Sequence, residues 1–289
     1  MNEMVRSHVV ASALAAQYTR DGFYFPYDVI GEAEAAEILA DLEAAEKEVA
    51  ADRAKLSMLR GYPARLLPSF DRLIRHPRLI EAVSQIIGPD LLVWGSGLFI
   101  KEPNSKSFVS WHQDLNYWGL DGVNEITAWV ALTPSTTENG CMRFVPGSHE
   151  KQSVPHVDSF AQDNLLSRGQ ELAVKVDEAT AVDVVLRAGQ ASFHHGHMFH
   201  ASGPNKTNAR RVATAIRYVA ASMKQTSGDK LLVAHVSGKD DYGHFNVAPA
   251  PTARLKEEDF ERVRRDVDIK RAVLYEGVRA DLVKKDRRA

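Results

Sequence analysis

Beyond Pro89 the chain becomes a succession of short strand-like runs, and that feature limits its possible folds more than any other. Residues 91–94, 97–101, 125–132, 140–145, 181–186, 191–195 and 211–219 are rich in β-branched and aromatic side chains. Gly, Pro and Asn break the runs, and no helical period separates them. Short strands without intervening helices argue for a sheet sandwich or barrel. The predicted fold class is mainly β with flanking helices.

The helices lie at the two ends. Residues 9–20 carry apolar side chains at helical spacing up to Asp21-Gly22, and Phe23-Tyr24-Phe25-Pro26 reads as a short strand. A long helix is expected over 31–54, with Ile38, Leu39 and Leu42 as its apolar stripe. Residues 56–70, with Arg60, Tyr62 and Arg65, look irregular and suit either a lid or a plain surface loop. A further helix over 78–87 ends at Gly88-Pro89, and another is expected over 257–267. The basic tail at 284–288 reads as a solvated end. The expected organisation is a single domain: a helical part at 1–90 packed on a β core at 91–250, then a helical tail at 251–289.

Composition narrows the function classes. A net charge of −2 leaves no nucleic-acid footprint, and no apolar run approaches the roughly 18 residues that span a bilayer. The start Met1-Asn2-Glu3-Met4 lacks a signal-peptide apolar stretch, and the single cysteine, Cys141, reads as small apolar filler. The expectation is a cytoplasmic protein acting on a small molecule, with no nucleic-acid or membrane partner.

The chemistry is expected around Ser110-Trp111-His112-Gln113-Asp114. On a strand, residues i and i+2 share a face, so His112 and Asp114 can reach one ion. His200 offers a second imidazole, and two histidines with one carboxylate form the facial triad that holds non-haem Fe(II). His-x-Asp alone is common on strands by chance. His194, His195 and His197 crowd near His200, and in a cupin-like arrangement they would be ligands; hydrogen bonds around the site or surface exposure are the blander readings.

Four pieces in order carry more weight: Trp111-His112-Gln113-Asp114; the run from Asn139 through Cys141 and Arg143 to His149; His200-Ala201-Ser202-Gly203-Pro204-Asn205; and Arg211. As a set the chain resembles the phytanoyl-CoA dioxygenase family of Fe(II)- and 2-oxoglutarate-dependent oxygenases, from about residue 17 to 251. The resemblance implies a double-stranded β-helix, a cupin-like jelly roll. It implies that His112, Asp114 and His200 hold the metal and that 2-oxoglutarate and O2 are consumed together. Arg suits the distal carboxylate because its planar fork meets both oxygens. The resemblance selects Arg211, eleven positions after His200, over its neighbour Arg210. Ser202 and Trp129 match groups beside the same co-substrate. Related halogenases carry Ala or Gly where Asp114 stands, so the resemblance implies hydroxylation.

For the substrate, Asn116, Tyr117 and Trp118 follow the first two ligands and are expected to line the site, with Arg143 and Lys101 adding positive charge. Arg60 and Arg65 are candidates to close it from the helical side. Such a set suits a small anion. The run through Tyr117-Trp118-Gly119 looks most like that of bacterial members acting on phosphonates, which makes 2-aminoethylphosphonate, hydroxylated at its α-carbon, the leading substrate. Hydroxylation of an acyl-CoA or other natural product is an alternative, as is a non-catalytic jelly-roll sensor, against which the complete co-substrate set argues.

Overall fold

The computed structural model describes residues 13–226 and 228–274. Its strands are β1 (Phe23–Asp28), β2 (Leu91–Lys101), β3 (Val109–His112), β4 (Glu125–Ala131), β5 (Met142–Phe144), β6 (His156–Asp158) and β7 (Gln170–Leu172). They continue with β8 (Val182–Val184), β9 (Gln190–His194), β10 (His200–Ser202), β11 (Arg211–Ala220), β12 (Leu232–Ser237) and β13 (Asn246–Val247). A seven-stranded sheet runs β1-β9-β4-β11-β2-β12-β13 and a four-stranded sheet runs β3-β10-β5-β8. The two form a cupin-like jelly roll that is not closed into a barrel. β6 and β7 pair separately.

The helices are α1 (residues 13–21), α2 (Glu32–Glu48), α3 (Arg53–Gly61), α4 (Pro63–Leu66), α5 (Pro68–Ile74), α6 (Pro77–Ile87) and α7 (Glu257–Leu274). Three expectations change. The single helix over 31–54 is two, because the chain turns at 49–52 and Asp52 caps a new helix by accepting from the Lys55 N–H. The segment at 56–70, expected to be irregular, is helical: prolines at 63 and 68 start α4 and α5 at their first positions. The strands at 91–94 and 97–101 are one, running through Gly95 and Gly97. Residues 9–12 and the basic tail lie outside the described residues.

All seven residues of β4 are buried because both of its faces are covered. Ile126, Ala128 and Val130 pack with Leu42, Leu59, Phe70 and Leu79 of the helical layer. The alternate residues Trp129 and Ala131 face Met142, Phe144 and Val184 of the smaller sheet. β11 alternates in the same way, with Val212 and Ile216 toward the helices and Ala213 and Ala215 inward. Tyr218 ties the layers by donating its hydroxyl to the Ile74 carbonyl at 2.8 Å. The inner face shared by the two sheets is thereby left for chemistry.

Candidate active site

His112 ends β3 and pairs directly with His200, which begins β10. This register sets the two imidazoles side by side, with ring centroids 4.0 Å apart. Asp114 reaches them differently from the expectation. It lies past the strand end in a right-handed helical conformation, capping a short 3-10 turn at Leu115–Tyr117. Strand alternation therefore does not bring it in; the turn does. The Gly196 carbonyl holds that turn by accepting from the N–H groups of Asp114 (2.8 Å) and Leu115 (3.0 Å).

Behind the turn is a group that sequence reasoning missed. Buried Glu125 accepts from the Gly196 N–H at 2.6 Å, so one carboxyl buttresses the loop that carries Asp114. Gly196 is required there: a Cβ would lie 2.6 Å from Glu125 Oε1 and 2.8 Å from Leu115 Cβ. Burial pushes Glu125 up to about 8, against the pull of the Gly196 N–H and aided by the charge of Asp114. A lone Glu opening a strand gives no signal in the sequence.

The donor set fits a divalent transition metal. Ligand atoms of His112, Asp114 and His200 all lie within 4.8 Å of one another, and theirs is the one such cluster among the described residues. His112 Nδ1 lies 2.9 Å from the Ser110 carbonyl and 3.1 Å from that of His200, while His200 Nδ1 lies 2.9 Å from the Met198 carbonyl. A carbonyl only accepts, so Nδ1 carries the proton and Nε2 keeps its lone pair for a metal. Burial, then the neighbouring His112, holds His200 well below its usual range and therefore neutral. Asp114 is held well below the carboxylate range: burial opposes its ionisation, but the close approach of His112 and the charge of Arg217 outweigh it.

His194 lies beside the cluster, 4.9 Å from the His200 ring, with neither ring nitrogen hydrogen-bonded. Burial pushes it down to about 4. His195 and His197 turn the other way, toward Tyr18 and His149. None of the three belongs to the ligand cluster.

An inner cavity beside His112, Asp114 and His200 is lined by Trp129, Ser202 and Arg211. Arg211, 1% exposed, stacks on the Trp129 ring at 5.3 Å and donates from Nη1 to the Gly140 carbonyl at 3.0 Å; its Nε has no partner. Arg210 points outward to Glu46 and Glu102. Lys101 does not line the substrate side. Its Nζ is buried behind the inner cavity, donating to Ser202 Oγ at 2.7 Å and to the carbonyls of Gly140 and Gly203. Burial, then the charge of Arg211, pushes it down to about 6.

A second cavity of about 620 Å³ opens from His112 and Asp114 toward the helices. Tyr117 and Trp118 line it, together with Tyr62, Trp94 and residues of α7. Other expected substrate residues are elsewhere. Arg143 lies on the outer face of β5, because its neighbours Met142 and Phe144 point inward; it pairs with Glu178 (2.9 Å) and Asp183 (3.4 Å). Asn116 turns to the Val154 carbonyl (3.1 Å) and His156 Nδ1 (3.0 Å), bracing that loop. Arg60 pairs with Glu46 at 2.7 Å, and buried Arg65 donates to the Val93 carbonyl.

The profile of the phytanoyl-CoA dioxygenase family matches residues 18–213, which contain the whole constellation. The chain belongs to the phytanoyl-CoA dioxygenase family. Human peroxisomal phytanoyl-CoA dioxygenase (Homo sapiens) is 27% identical over 149 residues, covering 50% of this chain and 44% of the human protein. A probable alpha-ketoglutarate-dependent hypophosphite dioxygenase of Stutzerimonas stutzeri is 26% identical over 155 residues, or 53% and 54% of the two chains. The chain thus spans about half the length of these curated relatives. Among solved structures, apo ThoJ, a non-heme monooxygenase, has a TM-score of 0.82 at 36% identity, covering 91% of this chain and 98% of that one. A ThoJ–Ni complex gives 0.77 at 34%, over 92% and 100%. Within the described residues of this family member no helix is long and apolar enough to cross a membrane.

Proposed function

We propose that the chain is an Fe(II)- and 2-oxoglutarate-dependent dioxygenase that hydroxylates a C–H bond of a small organic substrate. The observation that carries this reading is the convergence of two imidazole Nε2 atoms and one carboxylate between an arginine-ended inner cavity and a larger open one. Iron with 2-oxoglutarate and O2 supplies the oxidising power, so that R–H becomes R–OH while 2-oxoglutarate becomes succinate and CO2. His112, Asp114 and His200 would hold the metal, and Nδ1 hydrogen bonds fix both rings. Arg211 and Ser202 take the distal carboxylate, with Lys101 behind Ser202 adding a second charge. Trp129, Phe99 and Met142 wall the inner cavity with apolar surface that excludes water. Asp114 stands where related halogenases carry Ala or Gly, which supports hydroxylation.

The substrate side favours a molecule larger than 2-aminoethylphosphonate. The cavity of about 620 Å³ is within the range of roughly 300–1,000 Å³ that suits drug-sized ligands. Arg143, Lys101 and Asn116, invoked for a compact phosphonate, do not line it. 2-Aminoethylphosphonate is the small arm of the test, and aromatic and aliphatic acids, their amides and acyl-CoA esters are the others. Iron-loaded protein in air should release succinate faster with its substrate, and the product should gain one oxygen. His112→Ala and Asp114→Ala should lose this while keeping the β-rich circular dichroism spectrum; full turnover in either would overturn the reading.

A further inference from the structure

Arg217 stands where the two cavities meet and lines both. It lies on β11 six residues beyond Arg211, on the same inward face. Its guanidinium makes no hydrogen bond or ion pair with a described residue, and Nε is buried without a partner. A buried donor left unmatched is costly and points to a ligand that matches it. The charge of Asp114 is its close electrostatic counterpart. Once Asp114 serves a divalent ion, the charge of Arg217 is unanswered.

The surroundings define what would answer it. Arg217 lies 5.4 Å from the Trp118 ring, Trp118 stacks on Trp94 at 5.1 Å, and Lys270 Nζ lies 4.6 Å from the Trp94 ring. Lys270 is already served by Asp266 at 3.1 Å and the Trp94 carbonyl at 3.2 Å. The strand facing Arg217 carries glycine at its partner position, Gly95, and again at Gly97, where a Cβ would lie 3.8 Å from Arg217 Nη1. Missing side chains at these positions leave room above the guanidinium. Arg264 and Arg271 of α7 also line the cavity, and the one carboxylate lining it among the described residues is the metal ligand Asp114.

Resting on the dioxygenase reading for which molecule is transformed, we propose that Arg217 sets substrate specificity. It seats the carboxylate of an organic acid whose flat or aliphatic body lies against Trp94 and Trp118. The planar fork fixes the acid in two directions, and that fixes which C–H faces the metal.

The test needs neither iron nor turnover. Full-length protein loaded with Zn(II) and 2-oxoglutarate, which engages Asp114 and does not turn over, is titrated calorimetrically at low salt with 2-naphthoate, 2-naphthamide and 2-naphthylmethylammonium. Naphthoate should bind about tenfold tighter than the amide, as expected for one charge-assisted hydrogen bond, and the ammonium should bind no tighter than the amide. Arg217→Met should erase the preference, and Arg217→Lys should keep part of it, with thermal melts checking that both fold. Equal binding of acid and amide, a preference that survives in Arg217→Met, or no heat from any probe would overturn the proposal. So would an Arg217→Met protein whose anaerobic Fe(II)–2-oxoglutarate titration shifts about tenfold, since Arg217 would then serve the co-substrate. Acid preference without any succinate release would instead count against the dioxygenase reading alone.

Discussion

Replacing Arg211 by Lys separates charge from geometry at the inner cavity. Arg211 spends Nη1 on the Gly140 carbonyl and rests its plane against Trp129, leaving Nε and Nη2 for a carboxylate. Lysine keeps the positive charge but loses the second tooth of the fork and the stacking. Neighbouring Lys101 keeps the bound carboxylate from being left without a counter-charge, so the full cost of a broken buried pair, about 3–5 kcal/mol, does not apply. What is lost is one hydrogen bond to a charged group, about 1.5–3 kcal/mol, or about 10- to 150-fold in 2-oxoglutarate affinity. The assay is an anaerobic Fe(II) titration that follows the visible charge-transfer band, paired with succinate kinetics. The KM for 2-oxoglutarate should rise by that factor, while kcat at saturation stays within a few-fold and the KM of the prime substrate does not move. An Arg211→Lys enzyme with unaltered 2-oxoglutarate affinity would refute the bidentate assignment.

Three further outcomes are expected. Glu125 holds its proton to about 8 in the fold but releases it near 4.5 when unfolded, so its contribution to stability is full below 4.5 and is lost as pH rises through 8. Melting of the metal-free protein should fall across that window, Glu125→Gln should flatten the fall, and parallel curves would sink the argument. Gly196→Ala should push a methyl against Glu125 and Leu115, displace Asp114 and weaken Fe(II) binding; equilibrium dialysis showing wild-type affinity would remove Gly196 from the site. Lys101, pushed down to about 6, should take up a proton when the 2-oxoglutarate dianion arrives at neutral pH. Binding heats measured in buffers of different ionisation enthalpy should therefore differ, and affinity should fall as pH rises; buffer-independent heats would count against it.

The way the residues were and were not legible follows from how local each cause is. Strand runs and turn residues are local, so a mainly β sandwich or barrel could be read from them and the resemblance specified the jelly roll, whereas residues 56–70 gave no periodic signal because they are divided among three short helices, two of them begun by prolines. Alternation along one strand is a local rule that lets only one of Arg210 and Arg211 face inward, and the family resemblance selected Arg211. Arg143 could not be placed, because a three-residue strand gives no hint of which face meets the other sheet. Asn116 was drawn off by a loop some forty residues away, and Lys101 was buried behind Ser202, 101 residues further along the chain.

By itself the sequence singled out the candidate ligand set, His112, Asp114 and His200, and, through the order of its motifs and their family resemblance, Arg211 as the candidate cation of the inner cavity. The tertiary structure alone decided how Asp114 is held, through Glu125 and Gly196, and which walls enclose the substrate. Those walls come from α3, β2, β11 and α7, which meet only because the helical layer and the sheet bury each other's apolar faces. Burial acts on whole elements, so the side chains it brings together share no signal along the chain.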